Sequence, residues 1–140
     1  MAMTPLLDGP GIISPACGPL LKLGAPLSFW GGVDPATGRI IQVRHPECGR
    51  SIAGVVLALP ATIGSSSSAA VLLELIRNGN APAALLLVEP DAILLIGCVV
   101  AKEMGWPAPP AFQITAEAQA ALTPGIYSFA ADGSFTKTDT

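Results

Sequence analysis

The chain has 140 residues, a length that one compact domain fills. Hydrophobic residues make up 51% and charged residues only 12%, well below the roughly 25% of an ordinary globular domain, and the net charge is −3. That balance, with no Lys/Arg cluster, excludes a nucleic-acid binder, and so sparse a charge predicts that part of the surface is covered by a partner.

Residues 1–17 are rich in Gly and Pro and carry no clear pattern. Leu20-Leu21-Lys22-Leu23 and Pro26-Leu27-Ser28-Phe29-Trp30 read as short strand material around a Gly24-Ala25 break. A turn-rich loop, Gly31 to Gly38, leads to the β-branched run Arg39-Ile40-Ile41-Gln42-Val43, and His45 to Arg50 forms another loop. Residues 53–59 are almost wholly apolar, as in a strand buried on both faces. Ser66 to Asn78 reads as a helix with an apolar face of Leu72, Leu73, Leu75 and Ile76, stopped by Asn78-Gly79-Asn80.

Ala84 to Val88 is a second buried strand, and Asp91 is placed to cap a second helix over about 92–104, closed by Gly105 and Pro107. After Pro110 come a short strand, a small helix opened by Thr115, and a hairpin. In that hairpin Asp132-Gly133 turns Tyr127-Ser128-Phe129 back onto Ser134-Phe135-Thr136. The order predicts a compact α/β domain, residues 1–140 as one unit, with a central β-α-β unit around a barrel-like or sandwich-like core. The apolar stretches at 52–63 and 92–101 fall short of the ~20 residues that span a bilayer. The N-terminus lacks a basic n-region, so no membrane association, no signal peptide and a cytoplasmic location are expected.

Little catalytic equipment is visible. The chain has a single histidine, His45, so no Ser–His–Asp arrangement can be argued. Cys17, Cys48 and Cys98 are far apart, no C-x-x-C pair exists, and the acids show no metal-ligand spacing. No metal site is therefore expected in this chain, and the cysteines read as reduced structural thiols. Trp30, before a Gly-Gly loop, reads either as a substrate contact or as a packed core residue. His45 reads either as a donor to a substrate oxygen or as a structural loop residue.

The run Gly64-Ser65-Ser66-Ser67-Ser68 is the exception. It lies between a β-type run and a helical run, which sets hydroxyls and free backbone N–H groups at a helix N-terminus. It lacks both the G-x-S-x-G order of a nucleophile elbow and the lysine of a P-loop. One reading is that a serine merely caps the helix by bonding an amide one turn in. Another is that the helix start stabilises a serine alkoxide able to abstract a proton α to a carboxylate. A third is a stand-alone anion- or phosphate-binding module without catalysis.

Several segments stand together in a recognisable order. They are Pro26 to Pro35 with Thr37-Gly38, His45-Pro46, Ser51-Ile52-Ala53-Gly54, and Leu59-Pro60 with Gly64 to Ser68. Asn80-Ala81-Pro82-Ala83, Glu89-Pro90-Asp91 and Gly97 follow. On these the chain resembles the small subunit, or swivel domain, of the aconitase X family. The resemblance implies a swivelling β/β/α domain with flanking helices, serving a two-chain hydro-lyase and inactive alone. A large catalytic subunit would hold the iron–sulfur cluster, with no cofactor bound by this chain, and the substrate would be a small hydroxy acid.

The resemblance also implies roles. In the wider superfamily the loop reads Gly-Ser-Ser-Arg, which makes Ser65 the catalytic base and Gly64, Ser66 and Ser67 substrate-binding positions. Ser67 stands where relatives that take tricarboxylates carry Arg, which argues against citrate. Gly38 stands where relatives carry an Asp in a Gly-rich loop. The implied reaction is dehydration of cis-3-hydroxy-L-proline to Δ1-pyrroline-2-carboxylate, the alternative being the small subunit of a phosphomevalonate dehydratase.

Overall fold

The computed structural model describes residues 3–6 and 15–138. In chain order it contains β1 (Thr4–Pro5), β2 (Ala16–Lys22), a one-turn element α1 (Phe29–Gly32), β3 (Val33–Asp34), β4 (Arg39–Ile40) and β5 (Val56–Leu59). Helix α2 (Ser68–Arg77), β6 (Ala84–Leu87), α3 (Ala92–Glu103), β7 (Ala111–Gln113), α4 (Ala116–Ala121), β8 (Ile126–Phe129) and β9 (Phe135–Thr138) complete it.

Strands β5 and β6 are apolar and buried at every position. Successive side chains of a strand point to opposite faces, so each strand feeds two cores. Leu57, Leu59, Leu85 and Leu87 pack with Leu72 and Leu75 of α2 and Leu94 of α3. Val56, Ala58, Ala84 and Leu86 pack with Phe112, Tyr127 and Phe129. The sheet order is β1-β7-β6-β5-β2-β8-β9. Strands β7, β6, β5 and β2 are mutually parallel, while β1, β8 and β9 pair antiparallel at the two edges.

The sheet is curled. Strands β7 and β8 stand four places apart in that order. In a flat sheet that separation would be roughly 19 Å at ~4.8 Å per strand. The rings of Phe112 on β7 and Phe129 on β8 nevertheless stack with centroids 4.9 Å apart. The concave face therefore closes on its own aromatics as a half-barrel, with α2 and α3 on the convex face. This is the expected α/β architecture of a barrel-like mixed sheet with flanking helices.

The element ends follow from local chemistry. Asp91 Oδ1 accepts from the Ile93 and Leu94 amides at 2.9 and 3.1 Å, and Thr115 Oγ1 accepts from the Ala118 amide at 3.0 Å, as expected of both caps. Helix α2 ends in a Schellman motif. Gly79, at φ +74°, donates to Ile76 O, and Asn80 donates to Leu75 O at 2.8 Å. Helices α2 and α3 approach at Gly97, where a Cβ would lie 3.0 Å from the Ala69 carbonyl oxygen.

Four expectations need correction. Pro26 to Trp30 is not a strand: only Leu27 bridges, to Thr62, and Trp30-Gly31 then form a type II-like turn with Gly31 at φ +78° and ψ −10°. The run 39–43 pairs only over Arg39–Ile40, after which Ile41 and Gln42 turn to donate to Gly32 O. The central strand starts at Val56 rather than 53, because Gly54 at φ +69° ends a turn there. Helix α2 starts at Ser68 rather than Ser66. The first residues, read as unpatterned, lie partly outside the described residues, and Thr4–Pro5 pairs with β7.

Gly18 of β2 faces the carbonyl of Gly54, and a Cβ there would lie 2.3 Å from that oxygen. Gly18→Ala is expected to cost about 1–3 kcal/mol of stability, the usual range for forced overpacking, read from the midpoint of urea unfolding.

Candidate active site

In a parallel sheet covered by helices, the carboxyl ends of the strands carry the loops that bind ligands. The loop leaving β5 is residues 60–67, and it is clamped on both sides. On one side the Leu27 amide donates to Ala61 O at 3.2 Å, and the Ile63 amide donates to Leu27 O at 2.9 Å. On the other side the Thr62 hydroxyl donates to Asp91 Oδ2 at 2.5 Å. The Glu89 amide also donates to Pro60 O at 3.3 Å. Asp91 thus caps α3 with one carboxylate oxygen and holds the serine loop with the other.

The four serines are not equivalent. Ser67 occupies the N-cap position of α2 but makes no side-chain capping bond. Instead Ser65 Oγ accepts the Ser67 amide at 3.1 Å, and the Ser68 amide bonds Ser65 O at 3.2 Å. Ser65 is half-buried, Ser66 is exposed and Ser67 is half-buried. The expected cap, a serine hydroxyl on an amide one turn into the helix, is not what forms. A backbone donor already aimed at Ser65 Oγ favours negative charge on that oxygen, and so does its place before the positive end of the α2 dipole.

Ser68 was not singled out by the sequence. It is fully buried on the core face of α2 with Val71, Leu72 and Leu75, and its Oγ has no hydrogen-bond partner. The signal was present, because Ser68 stands three and four residues before Val71 and Leu72 and shares their face. Gly64 is exposed, has no left-handed backbone, and meets nothing within 4 Å of a hypothetical Cβ. Nothing in the chain itself requires glycine there.

Beside the loop an open cleft of about 380 Å³ is lined by Thr62, Gly64, Glu89, Asp91 and Ile93, among others. It carries two carboxylates and no cation. A more enclosed cavity of about 60 Å³, between Val99 of α3 and Pro109, is too small for a substrate.

Other singled-out residues are placed elsewhere. The Asp34 to Gly38 turn is tied to the far end of α2, where Asn78 and Asn80 donate to Pro35 O. A ten-residue helix separates it from the serines, or about 15 Å at 1.5 Å per residue. Gly38 is glycine because its φ is +77° and a Cβ would lie 3.1 Å from Asn80 O.

His45 is buried and engaged. Its Nδ1 accepts the Glu47 amide at 3.0 Å, which leaves Nε2–H to donate to Ala25 O at 3.1 Å. It is a structural loop residue with no nitrogen free for a substrate. Glu47 Oε2 also lies 3.2 Å from Nδ1, so both ring nitrogens face groups of this chain. Trp30 is 60% exposed, so it is not a core tryptophan.

Among the described residues no group of three or more His, Cys, Asp or Glu side chains could hold a metal ion, and no helix is long and apolar enough to cross a membrane. Cys17 lies against Ser128 Oγ at 3.3 Å, Cys48 is on an exposed loop, and Cys98 is buried on α3. This donor set does not fit an iron–sulfur cluster, which needs converging thiolates.

A curled mixed sheet carrying a clamped, hydroxyl-bearing loop at a helix start defines an α/β domain that offers one side of a site and leaves the other open. The chain belongs to the aconitase X swivel domain family, whose model matches residues 11–127. It is 52% identical over 89 residues to a cis-3-hydroxy-L-proline dehydratase of Pseudomonas aeruginosa, covering 64% of this chain but 15% of that protein. It is 44% identical over 84 residues to the phosphomevalonate dehydratase small subunit of Methanothermobacter thermautotrophicus, covering 60% of this chain and 64% of that one. The crystal structure of Thermococcus kodakaraensis aconitase X in its holo-form superposes with a TM-score of 0.76 at 26% identity, over 96% of this chain and 95% of that one.

Two outcomes are expected here. Burial pushes the Cys98 thiol up to about 12, so at pH 8 it stays protonated. Alkylation of the folded chain should therefore add two groups by intact-mass measurement, on the exposed Cys17 and Cys48, and three only after unfolding. Gly64→Ala should leave thermal stability within about 0.5 kcal/mol of the parent, as for a surface change that touches nothing.

Proposed function

We propose that this chain, read as one swivel unit over residues 1–140, is the small subunit of an aconitase X-type hydro-lyase. The observation that supports this most directly is Ser65 Oγ held as acceptor of the Ser67 amide at a helix start. In this reading Ser65, as alkoxide, takes the α proton of a small hydroxy acid. The C–H electrons form the double bond as the hydroxyl on the neighbouring carbon leaves, and water is the net loss. Ser66 and Ser67 face the substrate, and Gly64 keeps the loop narrow enough for it to approach.

The leaving hydroxyl needs a Lewis acid, and the reading assigns that to an iron–sulfur cluster on a large catalytic subunit. Without that partner the chain is inactive. The substrate we favour is cis-3-hydroxy-L-proline, whose dehydration gives an enamine that tautomerises to Δ1-pyrroline-2-carboxylate. Two observations support it over a phosphorylated acid: the 52% identity to a dehydratase of that name, and a cleft that offers carboxylates and no cation to a phosphate. The similarity to phosphomevalonate dehydratase small subunits keeps that substrate as the second reading.

The test is turnover by the complex with its large subunit, assayed on both substrates. Ser65→Ala should lower kcat by about 10²–10⁴, the range for losing a general base, with assembly unchanged. Near-normal turnover in that variant would remove Ser65 from the role. Gly64→Ala, silent in stability, should lower kcat/KM.

A further inference from the structure

Eight large hydrophobic side chains stand exposed among the described residues. Five of them lie on the serine loop itself or on segments joined to it, directly or in sequence, by hydrogen bonds or a shared cleft. The segment 27–32 lies in the middle of three neighbouring stretches of chain. Leu27 exchanges hydrogen bonds with Ala61 and Ile63 on one side, and Gly32 O accepts the Ile41 and Gln42 amides on the other. The Ser28 amide donates to Gln42 Oε1 at 3.0 Å, which closes the second seam. Across these seams stand Ile63, 48% exposed, Trp30, 60%, Ile41, 48%, and Val43, 86%. Ile93 borders the cleft on the far side of Gly64.

Trp30 is displayed by construction. It sits at the second position of a turn that Gly31 makes possible, and Ser28 Oγ braces that turn by donating to Trp30 O at 2.6 Å. A tryptophan fixed on a tight turn and left in water has large area and little freedom to lose, as an interface anchor does. Arg44, next to Val43, is exposed, and so is Glu89, which lines the cleft that Ile93 borders. Exposed aromatic area on a surface poor in charge is what protein interfaces are enriched in.

We infer that this apolar collar, with Trp30 and Val43 foremost, is the surface on which the large subunit seats, so that docking encloses the serine loop. The inference rests on the reading of that loop as half of an active site. Whatever completes the site must approach Ser65, and the collar is the ground around it. A second copy of this chain is a poorer occupant, because it would set two serine loops face to face and supply no acid for the leaving group. In the Pseudomonas relative the aligned stretch is 15% of one polypeptide, so a segment like this one is carried there beside a much larger body. Met104 is exposed at the opposite end of α3 and lies outside the collar.

The experiment titrates the chain with an aconitase X-type large subunit from the same genome. Trp106→Phe leaves Trp30 as the one tryptophan of this chain, read as the difference from the large subunit's own emission. Its emission should shift to the blue on binding. Trp30→Asp and Val43→Asp should each raise Kd about tenfold or more, as loss of an anchor does. Met104→Asp and Ser65→Ala should bind within about twofold of the parent, the range of positions outside the anchors. Circular dichroism of each variant excludes unfolding as the cause. Parent-like binding by both collar variants, or equal weakening by Met104→Asp, would overturn the collar while leaving the Ser65 role to its own kinetic test. Failure of the parent chain to bind, with turnover by the large subunit alone, would overturn both readings.

Discussion

The constraint on which the structure rests is the burial of β5 and β6 on both faces. Neither strand has a polar position that tolerates water. Each face must therefore be covered, and it is covered differently. The parallel crossovers β5–α2–β6 and β6–α3–β7 put two helices on one side, as right-handed connections require. Among the described residues the other side has no helix of comparable length, and the curled sheet fills it with aromatics from its own strands β7, β8 and β9. Curling and helix packing answer the same alternating residues.

That arrangement fixes the site. The carboxyl end of β5 cannot move without disturbing two cores, and the first turn of α2 is pinned where Ala69 meets Gly97. The serine loop hangs between these fixed points and is tied again by Leu27 and Asp91. A chain this poor in charge leaves few side-chain fields near the loop. The partial charges of the helix start and of the Ser67 amide favour negative charge at Ser65, while Glu89 and Asp91 of the adjoining cleft oppose it.

The sequence carried most of the architecture, because its signals were local. The apolar runs marked β5 and β6, Asp91 and Thr115 marked two helix starts, and Asn78-Gly79 marked a stop whose geometry is a Schellman motif. The misreadings have separate causes. Residues 26–30 are β-like in composition, but Gly31 needs a left-handed backbone, and pairing alone does not reveal that. At Arg39 to Val43 the strand ends where Gly32 O captures two amides, a contact between segments that no local pattern encodes. The serines were legible as a loop at a helix start. Their division into an acceptor, an exposed hydroxyl, a half-buried N-cap and a buried orphan depends on where the helix begins, two residues later than the sequence suggests.

Two features of the loop have no explanation inside the chain. Gly64 has ordinary backbone angles and empty space around it, so neither strain nor crowding selects glycine. Ser68 buries a hydroxyl with no partner, at a cost of about 1–3 kcal/mol that alanine would avoid. Each therefore reduces local order or stability without a return within this fold. A glycine in open space is explained if something later comes as close as a missing Cβ allows. The empty space at Gly64 is on the open side of the loop, beside the cleft that Ile93 borders, so the position is free for close approach from outside this fold.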